Sequence, residues 1–351
     1  DKPYLLSVSK DTDCARNLDR VSKGLAELQR VCETFVQRRR HAYPRLYLLS
    51  TDECVKLLGT RKRDIEECDS STFRELVGKM YSAWGHLCCR DSETHTGRSI
   101  HMTNAIRSKD GETLCFETPV QSTNPNGDGY ELLDAWFCRI YNETRQTLKS
   151  AFQKTIRNFS SKIVSADWIS KTPFHVVRCC LGAYITSRIE SAFKKQKRVD
   201  AESEEDSFSM SNALRNIESE ILLMIDRIMI SSTTTSSSSS SSKDATIVLL
   251  LHHRDVLRVL IEKSKSLLNR TCLAWQIQMR DYWNEEEEEE EKEILTHVML
   301  NYRVQHGFEY AGGAGASHNR LVVTPITMRC FRCLLSTTLD RDSRYGTLTG
   351  Y

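Results

Sequence analysis

Between Leu133 and Phe159 the apolar residues Leu133, Trp136, Phe137, Ile140, Leu148, Phe152, Ile156 and Phe159 fall at helical spacing. That period gathers large side chains on one face of a long helix, read here as running from Glu131 to about Ser160. Such a face must be covered, so the chain has to bring further helices against it. The same period supplies them. It recurs from Cys14 to Arg40 (Leu18, Val21, Leu25, Leu28, Val31, Val36) and over residues 73–90 (Phe73, Leu76, Val77, Met80, Tyr81, Trp84). It continues through Trp168, Val176, Val177, Leu181, Ile185 and Ile189, then over Ile217 to Ile230 and Ala245 to Trp283. The expected fold class is mainly α: an elongated helical bundle with a small β-hairpin, ending in one strand and one helix of an α/β module.

The β elements are read from turn chemistry. Pro44 stops the first helix, Leu46 to Leu49 reads as a short buried strand, and Ser50 or Thr51 caps a helix that Gly59 ends. Ser99 to Arg107 and Glu112 to Val120 flank Ser108-Lys109-Asp110-Gly111, an Asp-Gly hairpin signal. Leu321 to Val323 is a short β-branched run stopped by Pro325, with Thr324 or Thr327 placed to cap a helix over Arg329 to Leu335. Three stretches are too polar to pack. Residues 193–207 read as a charged connector, Ser231 to Ser242 as a disordered Ser/Thr loop, and Glu285 to Glu291 as a solvated run of like charge.

Several chemistries are excluded. A formal net charge of +2 gives no electrostatic case for nucleic acid or a membrane surface as partner. No apolar run has the length of a membrane span, and the N-terminus carries neither a signal peptide nor Met, which leads us to expect part of a longer chain. The 13 cysteines are scattered, without the spacing of a disulfide framework, so free thiols are expected. Cys330-Phe331-Arg332-Cys333 is a lone C-x-x-C with no second pair, and no metal ligands are assigned. His95 and His101 read as surface residues. Gly78-Lys79 lacks the rest of a phosphate loop. His253-Arg254-Asp255 has Leu260 where a kinase catalytic loop needs Asn. No catalytic residue is assigned. The run Arg38-Arg39-Arg40 is read as a solvated helix C-terminus, against the alternative of an anion-binding patch.

Several blocks of sequence go further. Gly307-Phe308-Glu309-Tyr310 followed by Arg320-Leu321-Val322-Val323-Thr324-Pro325-Ile326-Thr327-Met328-Arg329-Cys330-Phe331 resembles the start of the first AAA+ module of dynein heavy chains. The family's Leu after the first block is Ala311 here, Gly312 to Ser317 is longer than usual, and the family's Asp is replaced by Met328. Arg39 to Leu58 resembles a block of the dynein linker, as do Gly111 to Val120 and Leu251 to Lys263, and Trp275 to Trp283 resembles the exit from linker to ring.

The resemblance implies a linker, C-terminal part, over 1–283, an acidic connector over 284–300, and the start of the AAA+ module over 301–351. It implies part of a minus-end-directed microtubule motor: the lever and its junction with the main ATPase. Leu321, Val322, Thr324 and Pro325 would line the adenine side of a nucleotide pocket, the alternative being ordinary buried strand and turn. ATP or ADP with Mg would serve the whole parent protein. No phosphate loop occurs here, so neither tight nucleotide binding nor hydrolysis is expected of this chain alone. Implied partners are the rest of the AAA+ ring, microtubules, and dynein intermediate, light intermediate and light chains, in the cytoplasm or axoneme. Two other readings stay open: a stand-alone helical interaction protein without ATPase activity and, ranked last, a redox or metal protein built on the cysteines.

Overall fold

The computed structural model describes residues 12–59, 71–93, 99–121, 133–202, 210–231, 240–263, 271–284, 294–315 and 322–339. It is mainly helical, as the periodicity requires. Helices α1 (Thr12–Ala42), α2 (Thr51–Leu58) and α3 (Ser71–Met80) precede strands β1 (Trp84–Glu93), β2 (Ser99–Ser108) and β3 (Thr113–Gln121). Then come α4 (Leu133–Arg157), α5 (Ala166–Lys171), α6 (Phe174–Glu202), α7 (Met210–Ser231) and α8 (Ser240–Lys263). A short α9 (Leu273–Gln276), strands β4 (Arg280–Trp283), β5 (Leu295–Met299) and β6 (Tyr302–Gln305), and α10 (Pro325–Leu339) complete the order. Strands β1-β2-β3 form one sheet and β4-β5-β6 another, each in sequence order.

The chain divides into two compact units, Asp1–Ile106 with Thr118–Asn142, and Arg107–Glu117 with Glu143–Tyr351. In the first unit the C-terminal end of α1 is pinned by charge. Arg39 Nη2 donates to Asp134 Oδ1 at 3.0 Å, and Arg40 Nη2 donates to the Leu49 carbonyl at 2.7 Å. The basic run is therefore not a solvated helix end: Arg40 is buried and Arg39 is mostly covered. The segment after Pro44 is a 3-10 helix, Pro44–Leu48, and not a strand. Its burial has a period of three, with Tyr43, Leu46 and Leu49 inside and Tyr47 and Leu48 in water, which is the side-chain spacing of a 3-10 turn. Ser50 closes a reciprocal capping box with Glu53 at the head of α2.

Four further expectations change. The helix read over residues 73–90 ends at Met80, and Trp84 onward pairs with β2, because strand pairing outweighs a local helical pattern. The connector 193–207 is helical to Glu202 as the end of α6, and Ser240 to Ser242 of the Ser/Thr tract open α8; the charged and serine-rich positions between lie outside the described residues. Arg280 to Trp283 leaves the helix and becomes β4, paired with β5 in register Asp281↔His297, so the stretch 284–300 contains a strand. Val322 to Thr324 is irregular, not strand, and Val322 is 62% exposed; no sheet partner lies beside it among the described residues.

The second unit has its core where α6, α7 and α8 meet, around Leu181, Ile185, Leu214, Ile221, Leu250 and Leu257. Trp275 joins this core and donates its indole N–H to the buried Glu190, which also accepts from the Tyr282 hydroxyl at 2.7 Å. In the first unit, the apolar positions of α1 from Leu18 to Val31 stay exposed, and only Val36 near its C-terminal end is buried. Burial therefore separates residues that look alike in sequence. Leu57→Ala (0% exposed) is expected to cost about 2–5 kcal/mol of unfolding free energy. Leu25→Ala (61% exposed) is expected to stay within about 0.5 kcal/mol, both read by denaturant titration.

Candidate functional site

The segment from His306 to Gly315 lies in the second unit and is held from three directions. Arg145 Nε donates to the Gly307 carbonyl at 2.6 Å. Phe308, at φ +49°, buries its ring 5.7 Å from that of Phe152. The tip of the β2–β3 hairpin supplies two carboxylates. Glu112 Oε1 accepts the Phe174 backbone N–H and Oε2 accepts the Tyr310 hydroxyl, both at 2.7 Å. Asp110 Oδ2 accepts the Gly315 backbone N–H at 2.6 Å, and Ser108 Oγ donates to its other oxygen.

This seat explains the small residues that follow Tyr310. A Cβ on Gly313 would come within 2.6 Å of the Asp110 carboxylate, and one on Gly315 within 2.4 Å of the Asp110 side chain. Burial pushes Glu112 above the usual carboxylate range, against the pull of its two donors. At Asp110 burial acts the same way but its hydrogen bonds win, so that carboxyl sits below its ordinary value. Burial and the neighbouring Glu112 raise the Tyr310 phenol.

A second cluster adjoins this segment. Strand pairing sets Asp281 of β4 opposite His297 of β5 on the same face. His297 faces Val304 of β6, so His306, two residues on, falls diagonally beside it. Helix α6 lies over this row with His175, Cys179, Gly182 and Thr186 at positions i, i+4, i+7 and i+11 of one face. Thr186 Oγ1 accepts the Asp281 backbone N–H, and a Cβ on Gly182 would meet Asp281 Oδ2 at 2.0 Å, so only glycine permits this approach. Contacts run along the row: Asp281 Oδ1 to His297 Nδ1 at 2.6 Å, His297 Nε2 to His306 Nδ1 at 2.6 Å, and His306 Nε2 to His175 Nε2 at 2.9 Å. Cys179 Sγ lies 3.6 Å from His306 Nε2.

Burial holds His175 well below the usual imidazole range and His306 at about 3, and it pushes the Cys179 thiol up to about 12. One order of the ring protons satisfies all three contacts: His297 donating to the carboxylate, His306 to His297, and His175 to His306. Among the described residues His175, Cys179 and His306 are the group of donors that converge at metal-ligand distances, and Cys330 and Cys333 on α10 are not in it. The four side chains beyond Cys179 come from α6, β4, β5 and the end of β6, so no linear motif announces them. The His-x-x-x-Cys spacing on a helical stretch was the one signal within the sequence.

Of the residues assigned by resemblance to an adenine contact, Leu321 lies outside the described residues and the Val322 side chain is exposed. Thr324 and Pro325 begin α10. The Thr324 hydroxyl accepts from the Thr327 N–H while Thr327 Oγ1 accepts from the Thr324 N–H, with Pro325 in the first turn. His95 and the side chain of His101 lie outside the described residues. His253-Arg254-Asp255 sits inside α8, where Arg254 pairs with its neighbour Asp255, which is not a catalytic-loop geometry.

Among the described residues His253 Nε2 is shielded and has no hydrogen-bond partner, and burial lowers that ring to about 4. The unfolded chain then binds a proton near pH 6.5 that the folded chain refuses until about pH 4, so stability is full above 6.5 and falls across that window. Denaturant midpoints are expected to drop between pH 7.5 and 5, and the drop should be smaller in His253→Leu. An unchanged slope in that variant would remove His253 from this account.

Residues 1–155 match the family model described as dynein heavy chain, N-terminal region 2. The cytoplasmic dynein heavy chain of Dictyostelium discoideum is 24% identical over 350 residues, covering 98% of this chain and 7% of that protein. That of Paramecium tetraurelia is 23% identical over 335 residues, 95% of this chain and 6% of its own length. Human dynein axonemal heavy chain 10 is 24% identical over 318 residues, 91% of this chain and 6% of its own length. The chain thus spans 6 to 7% of the length of these relatives.

Proposed function

Because the chain is related in sequence to the dynein heavy chains along nearly its whole length, we propose that it serves as the mechanical linker of a microtubule motor and as the junction of that lever with the main ATPase module. The observation that carries this reading is the seat of Gly307 to Gly315 on the hairpin tip and on α4. Those residues begin the proposed module, and Asp110, Glu112 and Arg145 belong to the proposed lever. A lever transmits force only if its root is joined to the engine by contacts that do not slip. Carboxylates with directed donors, Glu112 half-buried against the buried Tyr310 and Phe174, meet that need, because shifting them leaves polar groups unpaired.

The residues Leu321, Val322, Thr324 and Pro325 are proposed to face the adenine of ATP or ADP in the whole motor, with Mg and the phosphates held elsewhere. Partners follow at the same level: the remaining AAA+ ring, microtubules, and the intermediate, light intermediate and light chains of the dynein complex. The place of action is the cytoskeleton, whether cytoplasmic or axonemal.

Two experiments test this. Transcripts read past Tyr351 should continue in frame into Gly-x-x-x-x-Gly-Lys-[Ser/Thr]; a stop codon in mature transcripts would overturn the motor reading in favour of a helical interaction protein. In the motor assembled from that longer frame, Glu112→Gln should slow microtubule gliding severalfold while basal ATP turnover is retained. Equal loss of both would mean the residue serves folding and not coupling.

A further inference from the structure

We propose that His175, Cys179 and His306 form a zinc site, with His297 and Asp281 as its outer hydrogen-bonded relay. Each of the three offers one donor atom, a ring nitrogen or the Cys179 sulfur, and these lie within 4.8 Å of one another. Tetrahedral zinc, with Zn–N about 2.0–2.1 Å and Zn–S about 2.3 Å, sets ligand atoms about 3.3 Å (N to N) and about 3.6 Å (N to S) apart. Here His306 Nε2 lies 2.9 Å from His175 Nε2 and 3.6 Å from Cys179 Sγ. The spacing from His306 to the sulfur already fits, and the two rings need to part by about 0.4 Å to admit the ion. Two imidazoles and a thiolate are a soft set that selects zinc over magnesium or calcium.

The relay is the independent observation. A zinc-bound imidazole characteristically donates its other N–H to an acceptor that fixes its tautomer. His306 Nδ1 is directed at His297 Nε2, and His297 Nδ1 at the Asp281 carboxylate, both at 2.6 Å. The carboxylate of Asp281, whose backbone N–H is accepted by Thr186 Oγ1 and whose approach to α6 is allowed by Gly182, thus orients the ligand His306 through one intervening ring, His297. The row is also reachable. His297 and Asp281 keep about a fifth of their side chains exposed, and Asp281 borders a groove of about 450 Å³ alongside Tyr184, Lys194 and Tyr282.

Binding balances simply. Zn²⁺ takes the sulfur lone pair, the Cys179 thiol proton leaves to solvent, and the His175 proton moves from Nε2 to Nδ1. Three protein ligands leave the fourth position to water. The ion would tie the start of α6 to the residue directly before Gly307. This inference does not depend on the motor reading, since it concerns residues of one compact unit whatever the chain's role.

The test uses the full chain, stripped by chelator and titrated with Co²⁺ as a spectroscopic stand-in for zinc. One equivalent should bring the visible bands of tetrahedral cobalt and a thiolate-to-cobalt charge-transfer band, and zinc should displace both. Cys179→Ser should lose the charge-transfer band. His297→Gln should keep it while weakening metal affinity about 10–100-fold. The double substitution Cys330→Ser with Cys333→Ser should change nothing. Zinc-edge absorption on the unsubstituted protein, which needs no variant to fold, should give two imidazoles, one sulfur and one oxygen. No charge-transfer band, a band that depends on Cys330 and Cys333, or an all-oxygen edge would each overturn the site.

Discussion

One half-buried carboxylate, Glu112, holds together three segments that are far apart in sequence. It receives the first backbone N–H of α6 and the hydroxyl of Tyr310, and it stands at the tip of a hairpin whose neighbour Asp110 receives Gly315. An unpaired buried donor costs about 1–3 kcal/mol, so none of the three segments can shift alone without penalty. The conformation after Tyr310 follows from this. Glycines occupy the two positions where a side chain would collide with Asp110.

Helix α6 makes the second constraint. Its interior face serves the three-helix core through Leu181, Ile185 and Ile189, while a different stripe covers the β4–β6 row. That stripe alternates a ring, a thiol, a gap and a hydroxyl at His175, Cys179, Gly182 and Thr186, each matched to what lies opposite. Both constraints end on the same short segment, His306 to Tyr310. Its position is set by the hairpin tip on one side and by α6 on the other.

Much of this was legible in the sequence where a local rule decides. The period of α4 located Trp136, Phe137, Ile140, Leu148, Phe152 and Ile156, all buried. The Asp-Gly turn located β2 and β3, and Ser50 located a helix start. Local rules failed where a distant partner decides. Trp84 and Arg280 carry helical patterns into segments that a neighbouring strand captures, and Arg40 left the solvent because the Leu49 carbonyl needed a donor. The row from Asp281 to His175 had no sequence signature beyond the His175 and Cys179 spacing, since cross-strand register and helix facing assemble it. The periodicity of α1 was read correctly as helix, but period alone does not say that a face is covered.

The claim that matters most is that hairpin tip, α6 start and residues 307–315 behave as one mechanical piece. Amide hydrogen exchange on the full chain, with and without Glu112→Ala, tests it directly. Slowed exchange should be lost together at the hairpin tip, at the first turn of α6 and from Gly307 to Gly315, while the core of α7 and α8 keeps its protection. Loss confined to the hairpin tip, with Gly307 to Gly315 unchanged, would contradict the account.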